Sequence, residues 1–120
     1  MRPGPLAIAL GAGRVAFGVA MLALPGQITR AWVGVDGAPA AVLARCLGGR
    51  DIVIGAGLAV AAAHDRDPTA WLLGGILADT IDGIATLTAG GDVPRNGRTG
   101  TSALAGGSAL FGAWLASAID

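Results

Sequence analysis

Seven side chains in this sequence could do chemistry in a place where polar groups are scarce. Arg14, Arg50, Asp51, Asp79 and Asp82 each fall near the middle of an apolar stretch, with Arg45 and Thr86 in the same stretches. Such positions are costly, because insertion scales charge roughly +2.5 to +3.5 kcal/mol for a central Arg or Asp and return only about −0.3 to −0.6 for each Leu, Ile, Val or Phe. Between Thr69 and Ala89, for example, Leu72, Leu73, Ile76, Leu77, Ile81, Ile84 and Leu87 supply about −2 to −4 kcal/mol. Asp79 and Asp82 cost roughly +5 to +7. Charges placed this way must pair, and two chemistries satisfy that demand. In one, Arg and Asp form a neutral, hydrogen-bonded lock that fixes helix register, with the guanidinium donors satisfied by carboxylates. In the other, an Asp is a proton or ion site and Arg14 or Arg50 holds an anionic substrate.

Four apolar stretches carry these groups: Pro5–Leu24, Ala40–Ala63, Thr69–Ala89 and Ser102–Ile119. Each is near the ~20 residues that cross a hydrocarbon core of ~30 Å at a helical rise of 1.5 Å. An all-α, antiparallel four-helix transmembrane bundle, forming one integral membrane domain over 1–120, is therefore expected. The joints support the spans. Pro25-Gly26 ends the first, Gly37-Ala38-Pro39 leads into the second, and Gly90 to Gly100 separates third from fourth. At His64-Asp65-Arg66-Asp67-Pro68, Asp67 can cap the third helix while Pro68 sits at its first turn. Ile28, Trp32, Val33 and Val35, mixed with Thr29, Arg30 and Asp36, are too few to span and are expected at the interface, with Trp32 at headgroup depth. Trp71 and Trp114 would share the opposite membrane face; the equal alternative is that all three indoles are ordinary packing residues.

Spacing decides which charges can meet. Arg50 and Asp51 lie about as far before the His64–Pro68 joint as Asp79 and Asp82 lie after it, so antiparallel helices bring them to one depth. Arg14, midway along the first span, reaches that depth too. Asp79 and Asp82 share a face with Gly75 and Thr86, and Arg14 shares one with Gly11 and Gly18, whose small size leaves room for a guanidinium. Arg50 is expected opposite Asp79 or Asp82, or one Asp is protonated. Arg45 diverges from Arg50 by about 140° and must snorkel or meet a different helix. Glycine and other small residues recur within the spans, as at Ser108-Gly112-Ala116, and allow the close contact that drives helix association in lipid.

Composition excludes several classes of function. Of 120 residues, 53% are apolar and 13% charged, well below a soluble domain's share of charge. All basic residues are Arg, all acidic ones Asp, and the net charge is zero, which leaves no surplus for nucleic acid. Cys46 is the only cysteine, so no internal disulfide or thiolate cluster can form. His64 has no second His or Cys near it, and Ser102, Ser108 and Ser117 lack a base. No metal, cofactor or catalytic residue is expected. The N-terminal run resembles a signal peptide but is interrupted by Arg14 and lacks a clean cleavage site, and is read as retained. Flanking charge favours a cytoplasmic face carrying Arg30, Arg95 and Arg98 over one carrying Arg2 and Arg66, with dual insertion as the alternative.

Asp79-Thr80-Ile81-Asp82-Gly83 resembles the opening of the metal-binding motif of CDP-alcohol phosphatidyltransferases. The likeness stops there, with Ala85 one position early and Leu87 where Arg belongs. Size and span number resemble small multidrug transporters and fluoride channels, but Arg14 replaces the membrane Glu of the former, and the Asn and Thr/Phe/Ser motifs of the latter are missing. Gly11-Ala12-Gly13-Arg14 with Gly18, followed by Arg45-Cys46-Leu47-Gly48-Gly49-Arg50-Asp51 and Gly55, is similar to small four-helix actinobacterial membrane proteins, loosely DoxX-like, a group without an assigned activity. That resemblance implies a four-helix bundle and no catalytic residues. The expected role is a non-enzymatic, multi-pass component of the plasma membrane that contacts lipid and packs against itself or a larger membrane protein. The alternative is a small proton-linked transporter or channel acting as an oligomer.

Overall fold

The computed structural model describes residues 3–119, so Met1, Arg2 and Asp120, and with them the flanking charge assigned to Arg2, lie outside the described residues. The described chain forms α1 (Pro3–Ala23), α2 (Pro25–Val33), α3 (Ala38–Ala63), α4 (Thr69–Thr88) and α5 (Arg95–Ile119), with a 3-10 turn at Gly90–Asp92. All but α2 are long and apolar enough to cross a membrane, and the four pack together as an all-α bundle. Many large apolar side chains point outward: Leu43 is 66% exposed, Leu77 62% and Leu110 74%, a surface suited to lipid. The chain is a multi-pass membrane protein.

Within the bundle, α1 packs most extensively on α3, and α4 on α5. The α1 face is Ala7, Gly11, Arg14, Gly18 and Met21, and the α3 face is Ala44, Gly48, Asp51, Gly55 and Leu58, all buried. Both rows alternate steps of four and three, the repeat that keeps one seam facing a partner helix. Gly11 opposes Gly55 and Gly18 opposes Gly48, so closely that a Cβ on any of them would meet the facing backbone carbonyl. Lipid gives helices no hydrophobic reason to pair, and this close approach supplies the van der Waals contact instead. On the other pair, a Cβ at Gly112 of α5 would lie 3.1 Å from the Ile76 side chain of α4. A small core of Ala7, Leu58, Leu72 and Leu115 joins the two pairs at one end. Gly4, Ile119 and the α3–α4 turn surround one hollow there, so the two ends of the described chain lie on the same side of the bundle.

In that turn, the Asp67 carboxylate accepts the Thr69 backbone N–H at 3.0 Å and the Thr69 hydroxyl at 2.6 Å. These bonds favour its charged form and hold its pKa below the ordinary carboxylate value. Pro68 takes the N-cap position, one step before the first turn.

Two segments take their form from tertiary contacts. The segment expected at the interface is the short helix α2, packed against α3 and α5. Trp32 of this helix donates its indole N–H to Thr86 Oγ1, near the end of α4, at 3.0 Å. Gly34 closes α2 at φ 80°, a left-handed conformation that suits glycine, and returns its N–H to the Thr29 carbonyl at 3.0 Å. The helix that carries the fourth apolar stretch begins at Arg95, ahead of Ser102. Gly97 and Gly100 each cost a helix about 1 kcal/mol. Gly97, however, lies flat against the Trp32 carbonyl of α2, a contact that no larger residue would allow. Tertiary packing overrides the local propensity for a loop.

Candidate functional site

Arg14 stands between Gly11 and Gly18 on the α1 face and is 8% exposed. Its guanidinium extends to α4, where Nη2 donates to Asp79 Oδ2 and, at 3.1 Å, to the Gly75 carbonyl. Nη1 lies 3.5 Å from Asp51 Oδ1 on α3. Gly75 is what admits the group, since a Cβ there would sit 2.9 Å from Nη2. One side chain thus ties α1 to both α3 and α4.

Arg50 makes the second crossing, from α3 to α4. It grips Asp82 with two parallel bonds, Nη1 to Oδ1 at 2.9 Å and Nη2 to Oδ2 at 2.6 Å, the geometry a planar guanidinium matches best. Its Nη2 also donates to Asp51 Oδ1 at 3.1 Å. Asp51 Oδ1 is therefore the node that both arginines share. The network extends further through Thr86, whose hydroxyl donates to the Asp82 carbonyl at 2.7 Å while accepting from Trp32. That chain connects the charge row to α2. Asp79 and Asp82, which the sequence left as alternatives for Arg50, are divided between the two arginines, Asp79 to Arg14 and Asp82 to Arg50. Arg45 stands apart from the network, exposed, with its Nε donating to the Leu22 carbonyl of α1 at 3.4 Å. Gly11 and Gly18 make room for α3 rather than for the guanidinium.

The described charges do not cancel within this site. Arg14 and Arg50 face three carboxylates, Asp51, Asp79 and Asp82, which leaves one negative charge to be balanced. Asp51 and Asp79 are 6% and 7% exposed, yet no hydrogen bond among the described residues reaches Asp51 Oδ2 or Asp79 Oδ1. Both carboxylates face a cavity of about 1000 Å³ between α1 and α5, two helices that touch only sparsely, with α2 at one side. The charged groups line its floor. Phe17, Trp32, Leu104 and Phe111 line its walls, and Phe17, Leu104 and Phe111 are themselves exposed, so the mouth is apolar.

Sequence reasoning missed the cavity, the Gly75 carbonyl and the Trp32–Thr86 link. One signal for the α1–α3 pairing was present: Gly11-x2-Arg14-x3-Gly18 and Gly48-x2-Asp51-x3-Gly55 share a frame that places opposite charges at the same step. No protein-family model matches this chain, and no curated protein or solved structure does either. The fold and site described above therefore stand on this chain alone: a small helical protein with four membrane-spanning helices and a buried Arg/Asp salt-bridge network.

Proposed function

We propose that this chain is a non-enzymatic membrane component in which the Arg/Asp cluster is a structural lock between two helix pairs. One observation carries the reading: both arginines cross from the α1–α3 pair to the α4–α5 pair, where direct helix contact is thin. Arg14 and Arg50 do for that seam what glycine contact does within the α1–α3 pair. The likeness to small DoxX-like membrane proteins belongs to this reading and adds no activity to it. Self-association, or docking on a larger membrane protein, fits the glycines left without a contact: a Cβ at Gly49, Gly74 or Gly106 would have no neighbour within 4 Å among the described residues.

Removing one partner of a buried ion pair costs about 3–5 kcal/mol, while removing both is far milder. Arg50 is 29% exposed at its side chain, so Arg50→Leu should fall at the lower end of that range. Arg50→Leu with Asp82→Asn should melt above Arg50→Leu alone in detergent, because the stranded Asp82 carboxylate is gone. Equal or additive damage in the double variant would sink the lock.

A second reading, a small proton-linked carrier acting as an oligomer, is supported by the surplus carboxylate on an open cavity. In proteoliposomes holding a pH dye it requires substrate-driven proton movement that Asp51→Asn abolishes.

A further inference from the structure

We propose that the cavity between α1 and α5 binds a monovalent lipophilic organic cation, with its positive centre beside Asp51 and Asp79 and its apolar body against Phe17, Trp32 and Phe111. The inference deepens the carrier reading by naming the ligand class, but it stands on binding rather than flux. Three features fix the chemistry. The floor carries three carboxylates against two guanidiniums, so a single positive charge, or a proton on one carboxylate, completes it. The free oxygens Asp51 Oδ2 and Asp79 Oδ1 belong to buried side chains that line the cavity. A cavity of about 1000 Å³ is at the upper end of drug-sized sites, and its aromatic walls suit a cation whose charge is spread under an apolar skin.

The mouth narrows the choice further. Phe17, Leu104 and Phe111 are exposed, large and apolar on helices that meet lipid, so entry from the bilayer favours a ligand that partitions there. A phospholipid headgroup carries a phosphate, and the negative floor would oppose it. A hydrated metal ion would leave the apolar walls unused.

Asp51→Asn is the discriminating variant, since it removes the surplus charge while Arg14 keeps Asp79 and Arg50 keeps Asp82. Gly107→Leu is the second: Gly107 lines the cavity, and a Cβ there meets nothing within 4 Å, so a larger side chain can fill the space without displacing a neighbour. The experiment is equilibrium dialysis of the detergent-purified chain against tetraphenylphosphonium, with tetraphenylborate as the probe of equal shape and opposite charge. Melting curves establish that each variant is folded. Saturable binding of tetraphenylphosphonium and not of tetraphenylborate is expected, weakened about tenfold or more by Asp51→Asn and by Gly107→Leu. If Asp51→Asn fails to fold, Gly107→Leu decides alone. Failure of the wild type to bind the cation, equal binding of both probes, or full binding by folded Asp51→Asn or Gly107→Leu protein would overturn the proposal. The lock reading fails by a different measurement, the melting of the Arg50→Leu pair of variants.

Discussion

Arg14 is the residue on which most of the seam depends. Its planar fork serves Asp79, Asp51 and the Gly75 carbonyl at once, with donors pointing in fixed directions. An ammonium at the end of a lysine presents its three donors from one atom and lacks the breadth and fixed fork that serve all three acceptors, so Arg14→Lys should keep the net charge yet destabilise the chain by about 1–3 kcal/mol. A lower melting temperature in detergent would register the loss, and an unchanged one would mean that charge alone, not the fork, holds the seam. Much of this was legible in the sequence. A lone Arg within an apolar span demands a carboxylate at equal depth, and counting from the His64–Pro68 joint placed the aspartates there. Which aspartate served which arginine was not legible, because Asp79 and Asp82 share one helix face and only the azimuth of α4 against α3 separates them. Nor was Asp51 Oδ1 as a shared node, since Asp51 follows Arg50 directly in the chain and reads as its neighbour rather than as a bridge to Arg14.

Between α1 and α3 the decisive feature is the absence of side chains at four crossing points. On α3, Gly48 and Gly49 are adjacent and chemically identical but face opposite fates. A Cβ at Gly48 would lie 2.7 Å from the Gly18 carbonyl and 2.9 Å from Met21 Cβ, whereas one at Gly49 would meet nothing. Gly48→Ala should therefore cost about 1–3 kcal/mol through overpacking. Gly49→Ala should be neutral or gain up to about 1 kcal/mol from helix propensity. Thermal melting of the two variants side by side checks the assignment, and similar shifts in both would show that the helices pack differently. The four spans were legible because length and apolarity define them almost regardless of packing. The α2 segment and the start of α5 were not: Gly97 looks like a breaker until the Trp32 carbonyl lies against it, and no local pattern reveals a contact between residues so far apart in sequence.

At the scale of the molecule, two helix pairs meet along a seam of long charged side chains, with both described ends on one side. Single cysteines at Gly4 and Ser117, in a Cys46→Ala background, should react with an impermeant maleimide from the same face of the membrane. Labelling from opposite faces in every molecule would break the four-span topology, while both sites labelled together from either face would mean dual insertion. The lengths of chain between the partners also set an order of events during synthesis. Asp79 follows Arg14 by 65 residues, which at roughly 5–20 residues per second is a delay of about 3–13 s. During that interval α1 has left the ribosome with its guanidinium lacking the Asp79 carboxylate, and its seven Leu, Ile, Val and Phe residues, worth about −2 to −4 kcal/mol, barely offset the roughly +2.5 to +3.5 of Arg14. On that balance the first helix is only marginally committed to the bilayer by itself, and each later carboxylate, Asp51 and then Asp79, strengthens its hold there.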